Sequence, residues 1–225
     1  MARSVSKVFK FQGTLGEVTF VKSKRYEPHT RMRRGTYTEV TINETLKESK
    51  ALLMKCNEHA RLLFKPLREE HHDGSLWSRL LSTFFKQAKA GLKPTVQLFS
   101  KLECSTDHTL ATLLRDDYAV SVTREKKKMT VTVNLQRHPK WENNNIKAYY
   151  LSVVVLFPNF QKQTVQKELV SADVLVRSEL ESFVFEVPMP SANAPYLVLL
   201  GIEGYLQGRV GMQPSTRGLA VVKTS

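Results

Sequence analysis

Residues 9–36 read FKFQGTLGEVTFVKSKRYEPHTRMRRGT, a stretch in which two β-prone runs flank two glycines and lead into a dense basic segment. Apolar residues in each run recur at every second position, which is the period of one face of a strand. Gly13 and Gly16 lie between the runs and supply a turn. The stretch therefore predicts a β-hairpin over residues 9–21, followed by an irregular basic segment over residues 22–36 that Pro28 and Gly35 interrupt.

The basic segment brings cations and tyrosines together on what we expect to be one exposed surface. This combination suits a nucleic acid, because the cations contact phosphates and the aromatic rings stack on bases. The alternatives are a solvated loop or a surface for an acidic protein. The candidate contact residues are Lys22, Lys24, Arg25, Arg31, Arg33 and Arg34, with Tyr26 as the stacking residue.

The net charge of the 225-residue chain is +13, which indicates a polyanionic partner such as nucleic acid, an acidic lipid surface or an acidic protein. The charge is uneven along the chain. The first 100 residues hold 19 Lys and Arg against 9 Asp and Glu, whereas the rest hold 15 against 12. We therefore expect the anion-binding surface in the N-terminal part.

The compartment is predicted from features that the sequence lacks. Residues 1–25 contain no apolar core of a secretory signal, and no run of about 18 apolar residues is long enough to cross a membrane. Cys56 and Cys104 are too few for a disulfide scaffold. We therefore expect a cytoplasmic protein with reduced thiols and without a membrane or small-molecule partner.

Two helices are predicted after the basic segment, packed as an antiparallel pair over the hairpin. The first covers residues 43–67, with Asn43 as the N-cap and Thr41 with Glu44 as a candidate capping box. The second covers Ser75–Ala90 and ends at Gly91. The apolar stripe of the first helix, read from its helical spacing, consists of Leu46, Leu53, Ala60, Phe64 and Leu67, and it is widened by Leu52, Cys56 and Leu63.

The pattern changes to β at Tyr118. Seven short strands with turn residues between them predict an antiparallel β-sandwich of the immunoglobulin or fibronectin type. The Cys–Trp–Cys pattern of antibody domains is absent, so the prediction concerns architecture alone. The expected strands cover residues 119–123, 129–135, 148–157, 165–170, 183–187, 196–202 and 219–222.

The predicted fold class is therefore α+β, with an N-terminal β-hairpin, a two-helix unit and a C-terminal antiparallel β-sandwich. The expected segments are a basic arm and hairpin at 1–40, the helical pair at 41–91, a linker at 92–117 with a short helix at 107–114, and the sandwich at 118–225.

A metal site is conceivable from two short motifs. Cys56-x-x-His59 and Cys104-x-x-x-His108 supply ligand types that zinc prefers, although their spacings match no zinc-finger pattern. The alternative, which we favour, is two buried thiols and two surface histidines. We expect no metal and no cofactor, and we interpret His71-His72-Asp73 as a solvated turn.

No catalytic motif is visible, so we expect a protein that is not an enzyme. The sequence lacks a Gly-x-Ser-x-Gly elbow and a catalytic cysteine motif. The adjacent acids at residues 69–70 and 116–117 are typical of solvated loops. Lys126-Lys127-Lys128 at a hairpin tip is either a second phosphate contact or charge that protects a sheet edge.

Three features recur together in the first 90 residues: GTLGxVxF at 13–20, RxRRGT at 31–36, and Asn43 opening a helix. In these features the chain resembles a class of uncharacterised basic proteins from Bacteroidota. The resemblance implies a glycine-containing N-terminal hairpin, a helical stretch and a β-rich C-terminal half. It implies no activity, because the class has no established function.

Two functions from different classes remain. The first is a non-catalytic, sequence-tolerant nucleic-acid-binding protein, for DNA or RNA, in which residues 1–40 contact phosphates and the helical pair supports them. The second is a structural, self-assembling protein, phage-like or from a mobile element, in which the arm and the sandwich contact other subunits. Particle size separates them, because only the second predicts a large assembly.

Overall fold

The structure is a computed structural model. It describes residues 2–3, 13–21, 29–33, 43–115, 117–141, 145–180, 182–206, 209–210 and 214–225. The chain forms two compact units, residues 1–47 and 48–225. The fold is α+β with antiparallel sheets, as the sequence predicts.

The first unit contains the N-terminal sheet, a small antiparallel sheet with strand order β1-β4-β3-β2. The predicted hairpin is present as β2 and β3, but Gly13 lies in β2 opposite Phe20, and only Gly16 and Glu17 form the turn. Residues 9–12 lie outside the described residues. The strands are β1 (Ala2–Arg3), β2 (Gly13–Leu15), β3 (Val18–Val21) and β4 (His29–Met32).

Strand β4 corrects the prediction that the basic segment is irregular throughout. His29–Met32 pairs with β3 along its length and with β1 at two positions. This part of the segment is extended because β3 offers a free antiparallel edge, a long-range effect that local breakers such as Pro28 do not reveal. Pro28 and Gly35 themselves lie outside the described residues.

The second unit contains α1, which begins in the first unit, and two further described helices. The helices are α1 (Glu44–Leu67), α2 (Leu76–Lys89) and α3 (Leu110–Leu114). Asn43 caps α1 as predicted, because its Oδ1 accepts a hydrogen bond of 2.8 Å from the Leu46 N–H. Thr41 of the candidate capping box lies outside the described residues.

The predicted end of α2 at Gly91 is confirmed. Gly91 has a φ of 71°, a left-handed conformation that favours glycine. Its N–H donates to the Ala88 carbonyl at 3.0 Å, and the Leu92 N–H donates to the Gln87 carbonyl at 3.2 Å. This pair of bonds is a Schellman motif, which satisfies the last carbonyls of the helix.

All seven strands predicted for the C-terminal half are present, each longer than expected. A further two-residue strand, β11, lies between the last two. The strands are β5 (Tyr118–Glu125), β6 (Lys128–Leu135), β7 (Ile146–Asn159), β8 (Thr164–Leu175), β9 (Ser182–Pro188), β10 (Leu197–Leu206), β11 (Arg209–Val210) and β12 (Arg217–Thr224).

These strands form two antiparallel sheets. In the central sheet, β7 lies between β8 and β10, and β10 pairs on its other side with β11 and β12. In the small sheet, β6 lies between β5 and β9. The chain thus crosses from the central sheet to the small sheet at β9 and returns at β10.

The middle strands of the central sheet, β7 and β10, are buried on both faces. Val153 and Val155 share a core with residues of the small sheet, such as Val131 and Phe185. Val154 and Leu156 face the opposite way and share a second core with the two long helices. A strand covered on both faces cannot alternate with polar residues, which explains the near-continuous apolar run of β7.

From residue 48 onward, the helices therefore belong to the same compact unit as the two C-terminal sheets. The sequence predicts instead a separate helical pair over the hairpin. Their buried side chains pack on the central sheet, because Val154, Leu156 and Leu199 need an apolar cover. The expected linker at 92–117 also contributes buried side chains, among them Phe99 and Cys104, and its short helix is limited to α3.

The predicted apolar stripe of α1 is buried toward the end of the helix, where Cys56 and Leu63 are buried as expected, but not near its start. Ala60 and Leu67 are buried as expected, but Leu46 and Leu53 are 52% and 40% exposed. The first three turns of α1 are exposed along almost all of their length. In the part of the chain that the structure describes, no helix is both long and apolar enough to span a membrane.

Candidate nucleic-acid interface

Of the seven candidate contact residues, the structure describes Arg31 and Arg33. Arg31 lies in β4 and Arg33 follows that strand, and both are exposed. The Arg33 N–H donates to the Glu17 carbonyl, which ties this end of the segment to the β2–β3 turn. The remaining candidates, Lys22, Lys24, Arg25, Tyr26 and Arg34, lie outside the described residues.

Strand alternation gives the N-terminal sheet a polar face that includes Arg31. Arg31 pairs with Thr19, and Thr19 pairs with Thr14, so the three side chains lie on the same face. The hydroxyls of Thr14 and Thr19 are 3.1 Å apart and hydrogen-bonded. A guanidinium beside two hydroxyls is a set of groups that commonly contacts phosphate.

The opposite face of the same sheet is apolar and largely open. It carries Leu15, Val18 and Met32, which occupy one row across three strands. Leu15 is 77% exposed and Met32 is 66% exposed. The N-terminal sheet is thus polar and basic on one face and apolar on the other.

The two described arginines have no acidic partner among the described residues. Among the residues that the structure describes, neither the Arg31 nor the Arg33 guanidinium forms an ion pair. Lys128 of the lysine run differs, because its Nζ lies 2.6 Å from a Glu186 carboxylate oxygen. Lys126 and Lys127 form the exposed turn between β5 and β6.

The candidate zinc ligands do not assemble. Within the described ranges, no group of three or more His, Cys, Asp or Glu side chains is placed to hold a metal. His59 packs against the Phe84 and Phe160 rings, whereas His108 lies near His71. Burial raises the pKa of Cys104 to about 12, so its thiolate, the form that binds zinc, is strongly disfavoured.

The prediction that His71-His72-Asp73 is a solvated turn is wrong. The Asp73 carboxylate accepts hydrogen bonds from the N–H and hydroxyl of Ser75, both at 2.7 Å. Its other oxygen accepts from the N–H and hydroxyl of Thr106, at 2.6 and 2.8 Å. Burial alone would raise the pKa of Asp73. These hydrogen bonds lower it by more than burial raises it, so the pKa lies well below its usual range.

Arg79 completes this cluster, which we call the Asp73 junction. Its guanidinium donates to the backbone carbonyls of Glu103 and Cys104. The Glu103 carboxylate in turn accepts from the Leu110 and Ala111 N–H groups, at 2.9 and 3.1 Å, and caps α3. The junction therefore holds α2, the 103–106 segment and α3 together, and its polar atoms serve the fold.

The predicted surface acids Glu69 and Glu70 also have a partner. Lys167 Nζ lies 3.4 Å from a Glu69 oxygen and 2.6 Å from a Glu70 oxygen. Burial would lower the pKa of Lys167, but the two carboxylates raise it by more, so the lysine stays charged. The two acids thus share the positive charge of one lysine on β8.

Comparison with models of known protein families finds no match, and comparison with curated proteins finds none either. The resemblance to basic Bacteroidota proteins therefore stays a prediction.

Proposed function

We propose that this protein binds nucleic acid without catalysis, through sequence-tolerant contacts to the phosphate backbone made by its N-terminal basic segment. The observation that carries the proposal is the exposure of Arg31 and Arg33 without acidic partners in the described structure. Exposed cations in a basic segment attract a polyanion at long range and exchange counterions for phosphates on contact.

The expected chemistry is backbone recognition. Arg31 presents a planar fork of donors that matches two phosphate oxygens, and the hydrogen-bonded pair of Thr hydroxyls leaves one further O–H to donate. By the sequence pattern, Lys22, Lys24, Arg25 and Arg34 extend this surface, and Tyr26 stacks on a base. Neither DNA nor RNA is favoured, because these contacts reach sugar and phosphate rather than base edges.

The absence of catalysis is part of the proposal. It is supported by the Asp73 junction, where the carboxylate, the hydroxyls and the guanidinium are occupied by backbone and side-chain partners. It is also supported by the burial of Cys104, which disfavours a nucleophilic thiolate.

The test is fluorescence-anisotropy binding of a labelled 30-nucleotide strand, single- and double-stranded, across a salt series. Replacing Arg31 and Arg33 by Gln removes two phosphate contacts, so the slope of log affinity against log salt should become shallower by about 1.4–1.8. The matched control, K140Q/K147Q, removes the same charge from two exposed positions, Lys140 in the segment before β7 and Lys147 at the start of β7. Equal effects of both pairs, or no binding by the unaltered protein at low salt, would overturn the proposal.

A second function is favoured by the apolar face of the N-terminal sheet. The exposure of Leu15 and Met32 suits a self-assembling structural protein in which a second copy covers this face. Light scattering on the unaltered protein and on L15S/M32S tests it. A large assembly that the variant dissolves supports self-assembly, and a monomer in both contradicts it.

We further propose that residues 118–224 form a sandwich of the immunoglobulin or fibronectin type. The proposal is supported by the seven main strands, which divide into β5-β6-β9 and β8-β7-β10-β12, and by the core between the two sheets. An experimental structure with a different strand order would contradict it.

We also propose a cytoplasmic location, supported by two buried cysteines that stay free thiols. Cell fractionation that recovers the protein outside the cytoplasm would contradict this.

A further inference from the structure

A groove separates α1 from the hairpin that joins β7 and β8. We call it the hairpin groove; its volume is about 610 Å³. Arg61 and Lys65 line the helix side, together with Glu58 and Leu62, and Gln163, Thr164 and Val165 line the hairpin side. The groove is open to solvent along its length, so that an extended chain could enter it without a change of fold.

The hairpin wall of the groove is anchored. The Gln163 amide donates to the Phe160 carbonyl at 2.8 Å and lies 3.1 Å from His59 Nδ1 of α1. The Phe160 ring packs against His59 and against Phe84 of α2. The groove is therefore set by the packed core and is formed before any ligand arrives.

The helix wall carries a row of cations. Arg61, Lys65 and Arg68 follow one another at spacings of four and three residues, which places them on one face of α1. All three are exposed, and none has an ion-pair partner within the described residues. They extend over about 10 Å of the helix.

Acidic groups near this row compensate only part of its positive charge. Glu58 is the one acid among the lining residues, and Glu69 and Glu70 share the single cation of Lys167, so the acids near the row offset only part of its charge. Lys162, at the exposed hairpin tip, adds a further cation beside Gln163. The groove as a whole is thus positively charged, with hydroxyl and amide groups on its other wall.

We propose that the hairpin groove is a second nucleic-acid contact, which binds the sugar–phosphate backbone of a strand. Arg61, Lys65 and Arg68 contact successive phosphates, and the Thr164 hydroxyl donates from the opposite wall. The inference rests on the proposed function and extends it to a second surface. Nucleic acid is favoured over an acidic peptide because exposed cations follow one another along the helix wall and a hydroxyl faces them from the hairpin wall, an arrangement that suits a regular series of phosphates.

The test uses the full chain and the same labelled 30-nucleotide strand, single- and double-stranded. The variant R61Q/K65Q should make the salt slope shallower by about 1.4–1.8, whereas the control K140Q/K147Q should leave it nearly unchanged. The charge-preserving variant R61K/K65R should bind as the unaltered protein does. Circular dichroism confirms that each variant is folded, and all of the altered side chains are exposed.

The outcomes separate this inference from the proposed function. A reduced slope for R61Q/K65Q together with an unchanged slope for R31Q/R33Q would support the groove and overturn the N-terminal contact. The reverse result would overturn the groove alone. No binding of either strand form by the unaltered protein overturns both. Displacement of the strand by polyglutamate as effectively as by unlabelled DNA of equal charge would overturn the preference for phosphate.

Discussion

The N-terminal sheet and the central sheet are both antiparallel, yet they use their strands in opposite ways. In β3 every side chain is half-buried, and the polar Thr19 lies between the apolar Val18 and Phe20, which belong to the opposite face of the sheet. In β7 the residues from Val153 to Leu156 are all buried, because one face meets the small sheet and the other meets the helices. A continuous apolar run therefore indicates a strand that is covered on both faces, whereas alternation of polar and apolar residues indicates a sheet with one open face.

The two sheets also differ in what they contribute to the protein. The central sheet supplies apolar burial, which is the main source of folding free energy. The N-terminal sheet presents cations and open apolar side chains, which are suited to contacts with other molecules. The comparison leads to three predictions about stability, from the largest effect to the smallest.

The largest effect is expected for Leu199 of β10, which is fully buried against the helices. Leu199→Ala should lower the free energy of unfolding by about 2–5 kcal/mol, because it leaves a cavity in the core. The matched variant Leu15→Ala, in the N-terminal sheet, should change it by less than about 0.5 kcal/mol. Urea denaturation measures both. Similar losses would break the distinction between the two sheets.

An intermediate effect is expected at the Asp73 junction. Asp73→Asn keeps one acceptor oxygen but loses the charge. It should therefore lower the free energy of unfolding by about 1–3 kcal/mol at neutral pH. Because the folded-state pKa of Asp73 is lowered, the charge stabilises the fold above the usual carboxyl pKa, and this stabilisation is lost as pH falls below it.

Urea denaturation of both proteins at several pH values checks this expectation. The gap between the unaltered protein and Asp73→Asn should be constant above about pH 5 and should shrink below about pH 4. A gap that is independent of pH would show that Asp73 contributes shape alone.

The smallest effect is expected in the polar face of the N-terminal sheet. Thr14→Ala removes the exposed hydroxyl pair with Thr19 and should cost about 0.2–1 kcal/mol locally. Amide hydrogen exchange at Thr19 should accelerate, whereas the urea midpoint of the whole protein should not move. A shift of that midpoint as large as for Leu199→Ala would mean that the N-terminal sheet is part of the main cooperative unit.

Much of the secondary structure could be predicted from local patterns. Asn43 and Gly91 marked the ends of helices because caps are decided by nearest neighbours. The strands of the C-terminal half could be read from their two-residue period and turn residues. The stripe of α1 was predicted less well, because Leu46 and Leu53 have helical spacing but no partner that buries them.

The candidate sites depended more on long-range contacts. Asp73-x-Ser75 is a local turn signal, but its link to Thr106 spans 33 residues and leaves no mark in either segment. The same holds for the hairpin groove, where Arg61 of α1 lies opposite Gln163 of a distant hairpin. Charge alone predicted Arg31 and Arg33, which are the described part of the predicted interface.

Local sequence was enough to predict the main strands of the C-terminal half, the helix ends and the concentration of positive charge, because each depends on residues that are close in the chain. Only the tertiary structure decided that the helices cover the central sheet, that His29–Met32 forms a strand, and that Asp73 is a structural junction. These features arise when apolar faces and backbone donors from distant segments find partners, and partner choice is a property of the whole fold.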